Sequence, residues 1–307
     1  MKKIKKTKSI SILGIIVCLL GVILFGTRTI APEIFGNNTS SEVNTVNVEN
    51  LENVIIKTGE TITEDFISNN NTSLKTYFFN VGQADSILIQ NNEKNMLIDA
   101  GNNEDGEMLV NNLKQLNVEK IDYLIGTHPH EDHIGGMDNI INNFEIGTIY
   151  MPNVQTNTKT FGDVLDAVSN KNLKIETPKV NDTFLLGEAN CKILSVTDDE
   201  DNLNQSSIVI QLNFKDLSYL FMGDAEKEIE ESIDVGKVNI LKVGHHGSDT
   251  SSSLDFINKI APEVSIISVG KDNSYGHPSD DVIKRLENIG SKVYRTDEVG
   301  NIFIEQN

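Results

Sequence analysis

The segment that most narrows what this chain can fold into is Thr127-His128-Pro129-His130-Glu131-Asp132-His133-Ile134-Gly135-Gly136. It follows directly on Tyr123-Leu124-Ile125-Gly126, an apolar run that reads as a buried strand. Three of the six histidines in 307 residues fall within six positions. His128 and His130 are two apart, so in an extended loop both imidazoles point to one side. Asp132 and His133 then turn back toward a second point as the chain enters the paired glycines. Imidazole together with carboxylate is the ligand set of zinc and its first-row neighbours. A histidine-rich solvent loop is the bland alternative, and the position at a strand end speaks against it.

The pattern around this loop predicts an α/β domain over residues 73–307. Strands are expected at 75–79, 86–89, 95–98, 121–126, 148–151, 191–196, 208–212, 218–222, 238–243, 264–269 and 292–294, each apolar or β-branched and bounded by turn formers. Helices are expected at 103–116, 161–169, 225–232, 253–260 and 280–289. In the first of these, Met108, Leu109, Leu113 and Leu116 recur on one face. Strand after strand early, then strand alternating with helix, suggests two sheets packed face to face with helices outside.

The first 26 residues read differently. Lys2, Lys3, Lys5, Lys6 and Lys8 precede an apolar run of 16 residues from Ile10 to Phe25. That length falls between the ~7–15 residues of a secretory h-region and the ~17–25 of a membrane span. No small-residue cleavage site follows, so an uncleaved signal anchor is favoured over a removed peptide. Five lysines before the run and Arg28 just after it keep the amino terminus in the cytoplasm and send the rest outside. The expected location is the extracellular face of the membrane, single-pass, or secretion. Residues 27–72, rich in Asn, Thr, Ser and Glu, read as a polar spacer. With 45 acidic against 26 basic residues, the chain is not built to grip a long polyanion through bulk charge. Once the five n-region lysines are set aside, the exported part is more acidic still.

Further motifs recur in the order Asn80-Val81-Gly82-Gln83-Ala84-Asp85-Ser86, Met96-Leu97-Ile98-Asp99-Ala100-Gly101, Phe221-Met222-Gly223-Asp224, Lys242-Val243-Gly244-His245-His246-Gly247-Ser248 and Tyr275-Gly276-His277-Pro278-Ser279. With the histidine loop, they resemble the metallo-β-lactamase superfamily, and most closely the extracellular hydrolase domain of the ComEC competence proteins. The resemblance covers about Lys75 to Ile304. It implies a four-layer αββα sandwich holding one or two divalent metals, zinc or manganese. It implies ligands at His128, His130, Asp132, His133, Asp224 and His245, catalytic roles for Asp132 and His277, and pocket or supporting roles for Asp85, Asp99, His246, Asn204 and Ser206. Of the adjacent pair, alternation along a strand sends one ring toward the metals and one away, and His245 is taken as the ligand. No histidine lies between positions 134 and 244. The superfamily's usual mid-chain histidine is replaced by Asn204-Gln205-Ser206-Ser207, so an amide, hydroxyl or water would complete the first centre.

The implied activity is phosphodiester or nucleic-acid hydrolysis by metal-activated water, on DNA or an envelope polymer, with no stable protein partner expected. Asp249, Asn80 and Ala84 depart from the ComEC-like pattern, and Asp249 removes a cation that relatives carry beside the pocket. A phosphorylcholine-esterase-like enzyme is one alternative, and a non-catalytic metal-binding surface module is another.

Overall fold

The computed structural model describes residues 44–47, 51, 53–68 and 70–307. Their strands are β1 (Asn44–Asn47), β2 (Val54–Gly59), β3 (Leu74–Phe78), β4 (Ile87–Asn91), β5 (Lys94–Ile98), β6 (Lys120–Ile125), β7 (Glu145–Tyr150) and β8 (Ile175–Glu176). There follow β9 (Thr183–Leu186), β10 (Ala189–Ser195), β11 (Val209–Phe214), β12 (Leu217–Phe221), β13 (Ile240–Lys242), β14 (Val264–Ile267), β15 (Lys292–Arg295) and β16 (Asn301–Gln306). The helices are α1 (Gly106–Gln115), α2 (Glu131–Ile134), α3 (Met137–Asn143), α4 (Lys159–Asn170), α5 (Lys227–Ser232), α6 (Leu254–Ile260), α7 (Asp280–Asn288) and α8 (Thr296–Val299).

Two sheets result. The larger runs β1-β2-β16-β3-β4-β5-β6-β7-β8, and the smaller β15-β14-β13-β12-β11-β10-β9. Period-two alternation decides which residues enter which core. On β3, β4 and β5, Leu74, Phe78, Ile87, Ile89, Met96 and Ile98 face the second sheet. Tyr77, Leu88 and Leu97, one position out of step, face α1, α3 and α4 instead. Phe78 meets Phe221 across the gap, their ring centroids 6.4 Å apart. The outer face of the smaller sheet buries Val209, Leu220 and Leu241 against α5, α6 and α7. Three cores thus separate four layers, as the motif order implied.

Strand directions place the site. β5, β6 and β7 run parallel in one sheet, and β12 to β15 run parallel in the other. Asp99, Thr127, Asp224, His245 and Ser268 therefore all follow carboxyl ends of strands.

Eleven of the expected strands are present to within a few residues. One expectation needs correcting. Part of the segment assigned to the spacer belongs to the sheet: β2 pairs with β16 over six residues and with β1 on its other side. Ile56 is fully buried in the inter-sheet core and Phe66 under the helical layer. The polar residues surrounding Val54-Ile55-Ile56 masked a strand whose partner lies about 250 positions away. The expected signal anchor over 1–26 lies outside the described residues. Among those described, no helix is long and apolar enough to cross a membrane.

Ile56→Ala should destabilise the domain by about 2–4 kcal/mol in denaturant unfolding, through lost burial and a residual cavity. A neutral outcome would return this segment to the spacer.

Candidate metal centre

The histidine loop is set down by contacts to the end of β5. Gly135 N donates to Gly101 O at 2.9 Å, Gly136 N to Ala100 O at 3.1 Å, and Ala100 N to His133 O at 2.7 Å. A Cβ on Gly135 would lie 2.2 Å from the backbone carbon of Asn102, so only glycine lets the two loops press together. His130 N-caps α2 in an extended conformation, and the helix carries Asp132 and His133 back toward the sheet seam.

The side chains converge there. Asp132, His133, Asp224 and His246 place one ligand atom each within 4.8 Å of one another. His133 Nε2 is 3.3 Å from Asp224 Oδ1, and His246 Nε2 is 3.3 Å from Asp132 Oδ2 and 3.6 Å from Asp224 Oδ2. His128 Nε2 lies 3.9 Å from Asp224 Oδ2 and 2.9 Å from His130 Nδ1. The extended loop thus does bring the first two histidines together.

These groups are buried without being satisfied. His133 Nε2, His246 Nε2 and Asp224 Oδ1 have no hydrogen-bond partner, although His133, His246 and Asp224 are nearly inaccessible. Leaving such atoms unpaired costs about 1–3 kcal/mol each. A divalent cation among them would satisfy all three, so the residues fit a metal. Burial and then the neighbouring His133 push the pKa of His128 down, giving the neutral imidazole a ligand must be. For His133, burial opposes charge, but Asp224, Asp99 and Asp132 outweigh it and raise its pKa. A metal ion would therefore displace a proton here. Burial would raise the Asp224 carboxyl, yet His133 and His246 beside it hold it well below the usual range.

Supporting contacts set ring orientation. Asp99 Oδ2 accepts from His133 Nδ1 at 2.8 Å, and Asp99 itself accepts from Thr127 N and Thr127 Oγ1, both at 2.8 Å. Asp99 has a left-handed backbone with φ 59°, which turns its carboxylate under the loop.

A family model described as the metallo-beta-lactamase superfamily matches residues 79–271. The chain belongs to that superfamily. Its relatives are ComEC-like competence proteins. It is 31% identical to ComE operon protein 3 of Bacillus subtilis over 64% of this chain and 26% of that protein. It is 29% identical to Competence protein ComA of Neisseria gonorrhoeae over 72% of this chain and 31% of that protein. The chain spans less than a third of either relative. The metallo-β-lactamase fold protein YhfI of Bacillus subtilis superposes with a TM-score of 0.52 at 11% identity, covering 74% of this chain and 98% of that one. That likeness concerns the fold alone.

Two of the expected site residues sit differently from what the resemblance implied. His246, rather than His245, joins Asp132, His133 and Asp224. Strand alternation does not govern this pair, because β13 ends at Lys242. His245 and His246 take left-handed φ of 49° and 51°, turning both rings inward. His245 still reaches the pocket, with Nε2 3.8 Å from Asp224 Oδ2 and 3.3 Å from Asn204 Nδ2, and Nδ1 3.2 Å from Glu226 Oε1. Ser206 turns away, donating to Leu203 O at 2.6 Å. Its neighbour Ser207 does the work instead: its hydroxyl accepts from Asp224 N at 3.1 Å and lies 3.4 Å from His128 Nδ1. Thr127 and Ser207 were missed because small hydroxyl residues beside a strand carry no sequence signal of their own. His277 stands 5.5 Å from the His245 ring and 5.9 Å from Tyr275, and burial with His245 lowers its pKa.

His246→Ala should remove tightly bound metal from the buried group, whereas His245→Ala should leave that group's metal in place, as read by metal content after dialysis. Asp99→Asn should weaken metal binding about 10–100-fold in calorimetric titration. Because the His133 proton must leave, affinity should also fall as pH drops, with proton release visible between buffers of different ionisation heat.

Proposed function

We propose that this chain is a metal-dependent phosphodiester hydrolase working outside the cell, held at the membrane by its N-terminal segment or secreted. The observation that carries the reading is the set of unsatisfied His133, His246 and Asp224 atoms at the base of an open cleft of about 1120 Å³. A divalent metal bound there would activate water as a nucleophile and neutralise charge developing on a phosphoryl oxygen. The chain's own residues do the rest. Asp132, His133, Asp224 and His246 would hold one centre; His128, His130 and Asp224, with His245 or Asn204 nearby, would hold another. His277, half-buried on the cleft wall with a lowered pKa, is neutral at neutral pH and can orient a phosphate oxygen or accept a proton.

The names of the relatives, a competence protein and Recombination protein 2 of Haemophilus influenzae among them, support DNA as a candidate substrate. The lining of the cleft favours a short contact with it. Among the described residues no Lys or Arg lines the cleft, while Glu104, Asp105 and Glu131 do. A long backbone would meet repulsion at this rim, whereas a single phosphodiester can be met by the metals alone. The same rim, with Tyr275 71% exposed, favours a second reading in which the ester carries a cationic headgroup such as phosphorylcholine.

One panel tests these readings: bis-p-nitrophenyl phosphate, single-stranded DNA, p-nitrophenyl phosphorylcholine and nitrocefin, each with Zn²⁺ and with Mn²⁺. Hydrolysis of the bis-ester, abolished in His130→Ala while the circular dichroism spectrum persists, is the expected result. Nitrocefin turnover alone would sink the phosphodiester reading, and failure to take up either metal would sink the enzyme reading altogether.

A further inference from the structure

Behind the metal group lies a buried ion pair that hydrolysis itself does not require. Lys242, the last residue of β13, is 1% exposed, and its Nζ sits 2.7 Å from Asp85 Oδ2, with Asp85 also 1% exposed. The ammonium donates a further bond to Val243 O at 3.0 Å. Taking two charges out of water carries a desolvation cost that their mutual attraction does not always repay. A well-packed apolar pair of similar volume is often as stable or more so. Stability alone therefore does not account for the pair.

Its position does. Asp85 N donates to Asp132 O at 3.1 Å, and Asp85 O accepts from Gly101 N at 2.8 Å. The main chain of Asp85 is thus fastened to the loops that carry Asp132 and Asp99, both of the larger sheet. Its side chain is fastened to β13 of the smaller sheet, four residues before His246. The remaining oxygen, Oδ1, has no hydrogen-bond partner and lies 3.6 Å from His246 Nδ1. That nitrogen is 2.9 Å from Ser268 O, an acceptor only, so Nδ1 donates there and Nε2 is the atom directed at Asp132 and Asp224.

Asp85 and Asp99 are therefore counterparts, one behind His246 and one behind His133. Their environments differ. Asp99 accepts from Thr127 N, Thr127 Oγ1 and His133 Nδ1, which counter only part of the burial that raises its pKa. The Asp85 carboxylate receives its close polar contact from Lys242. The atoms of Asp85, Asp99 and His133 lie close enough to suggest a further cation site. The Lys242 ammonium supplies that positive charge from within the chain.

We infer that Lys242 and Asp85 are positioning residues, a charge-compensated strut across the two sheets that holds the His246 ring ready for metal. This rests on the metal-site reading above, and the test separates the two. Metal affinity and stoichiometry would be measured by calorimetry and elemental analysis on the full chain in mild detergent, alongside the thermal midpoint. The variants are Asp85→Asn, which keeps size and an acceptor for Lys242, and the double variant Asp85→Asn/Lys242→Met, which removes both charges together. The expected result is metal binding about 10–100-fold weaker in both, with a thermal midpoint near the parent's in at least one. Folded variants that bind metal as tightly as the parent would overturn the strut while leaving the metal centre standing. Failure of the parent itself to bind metal would overturn both.

Discussion

The Asp224 carboxylate is the constraint around which the rest of this structure is arranged. It is 2% exposed, lies at the seam between the two sheets, and has one oxygen with no hydrogen-bond partner. A buried anion survives only where positive charge or several donors meet it. Here imidazoles from both sheets approach it: His128 and His133 from the loop after β6, His245 and His246 from the turn after β13. Parallel strands in each sheet bring these loops to one edge. The inter-sheet core of Phe78, Ile98, Phe221 and Ile266 fixes the distance between them. Burial thus makes the ligands expensive to leave unpaired, and that expense is what creates a demand for a cation.

Residue spacing made much of this legible. His128 and His130, two apart after an apolar strand, meet as an extended loop dictates. Asp132 and His133 reach the second group through the first turn of α2. Asp99 and Asp224 were recognisable because each ends a strand in a Gly-containing turn. What stayed hidden shares a physical cause. Local pattern does not encode contacts made across the fold, so β2, whose partner is the last strand, looked like spacer. The choice between His245 and His246 turned on two left-handed backbone angles that strand periodicity cannot describe. Thr127, Ser207 and Lys242 stand inside or beside the quoted segments, but the pattern assigns them no task; their roles exist only once other loops arrive beside them.

The acidity of the chain also takes on a more local meaning. Most of its carboxylates face solvent, where water screens them. The few that matter are buried or half-buried: Asp85 answered by a lysine, Asp99 by donors from Thr127 and His133, and half-buried Asp132 and buried Asp224 by histidines. The rim of the cleft is acidic as well, so any attraction for an anionic ester must originate at the floor of the site. On the proposed phosphodiester reading, selectivity would depend on reach: a group short enough to place its phosphate on that floor would avoid the rim.

The placing of β16 between β2 and β3 has a consequence for how the domain comes into being. Of the described strands this one is made after all the others, yet it sits inside the larger sheet, hydrogen-bonded on both sides. During synthesis, β2 and β3 are available long before the strand that joins them. The sheet cannot close until residues 301–306 have emerged. Completion is therefore a late event with a long sequence separation, the kind of contact that forms slowly. Until then β3 waits with an unpaired edge, open to the wrong neighbour. Assembly of this domain is thus clocked by delivery of β16.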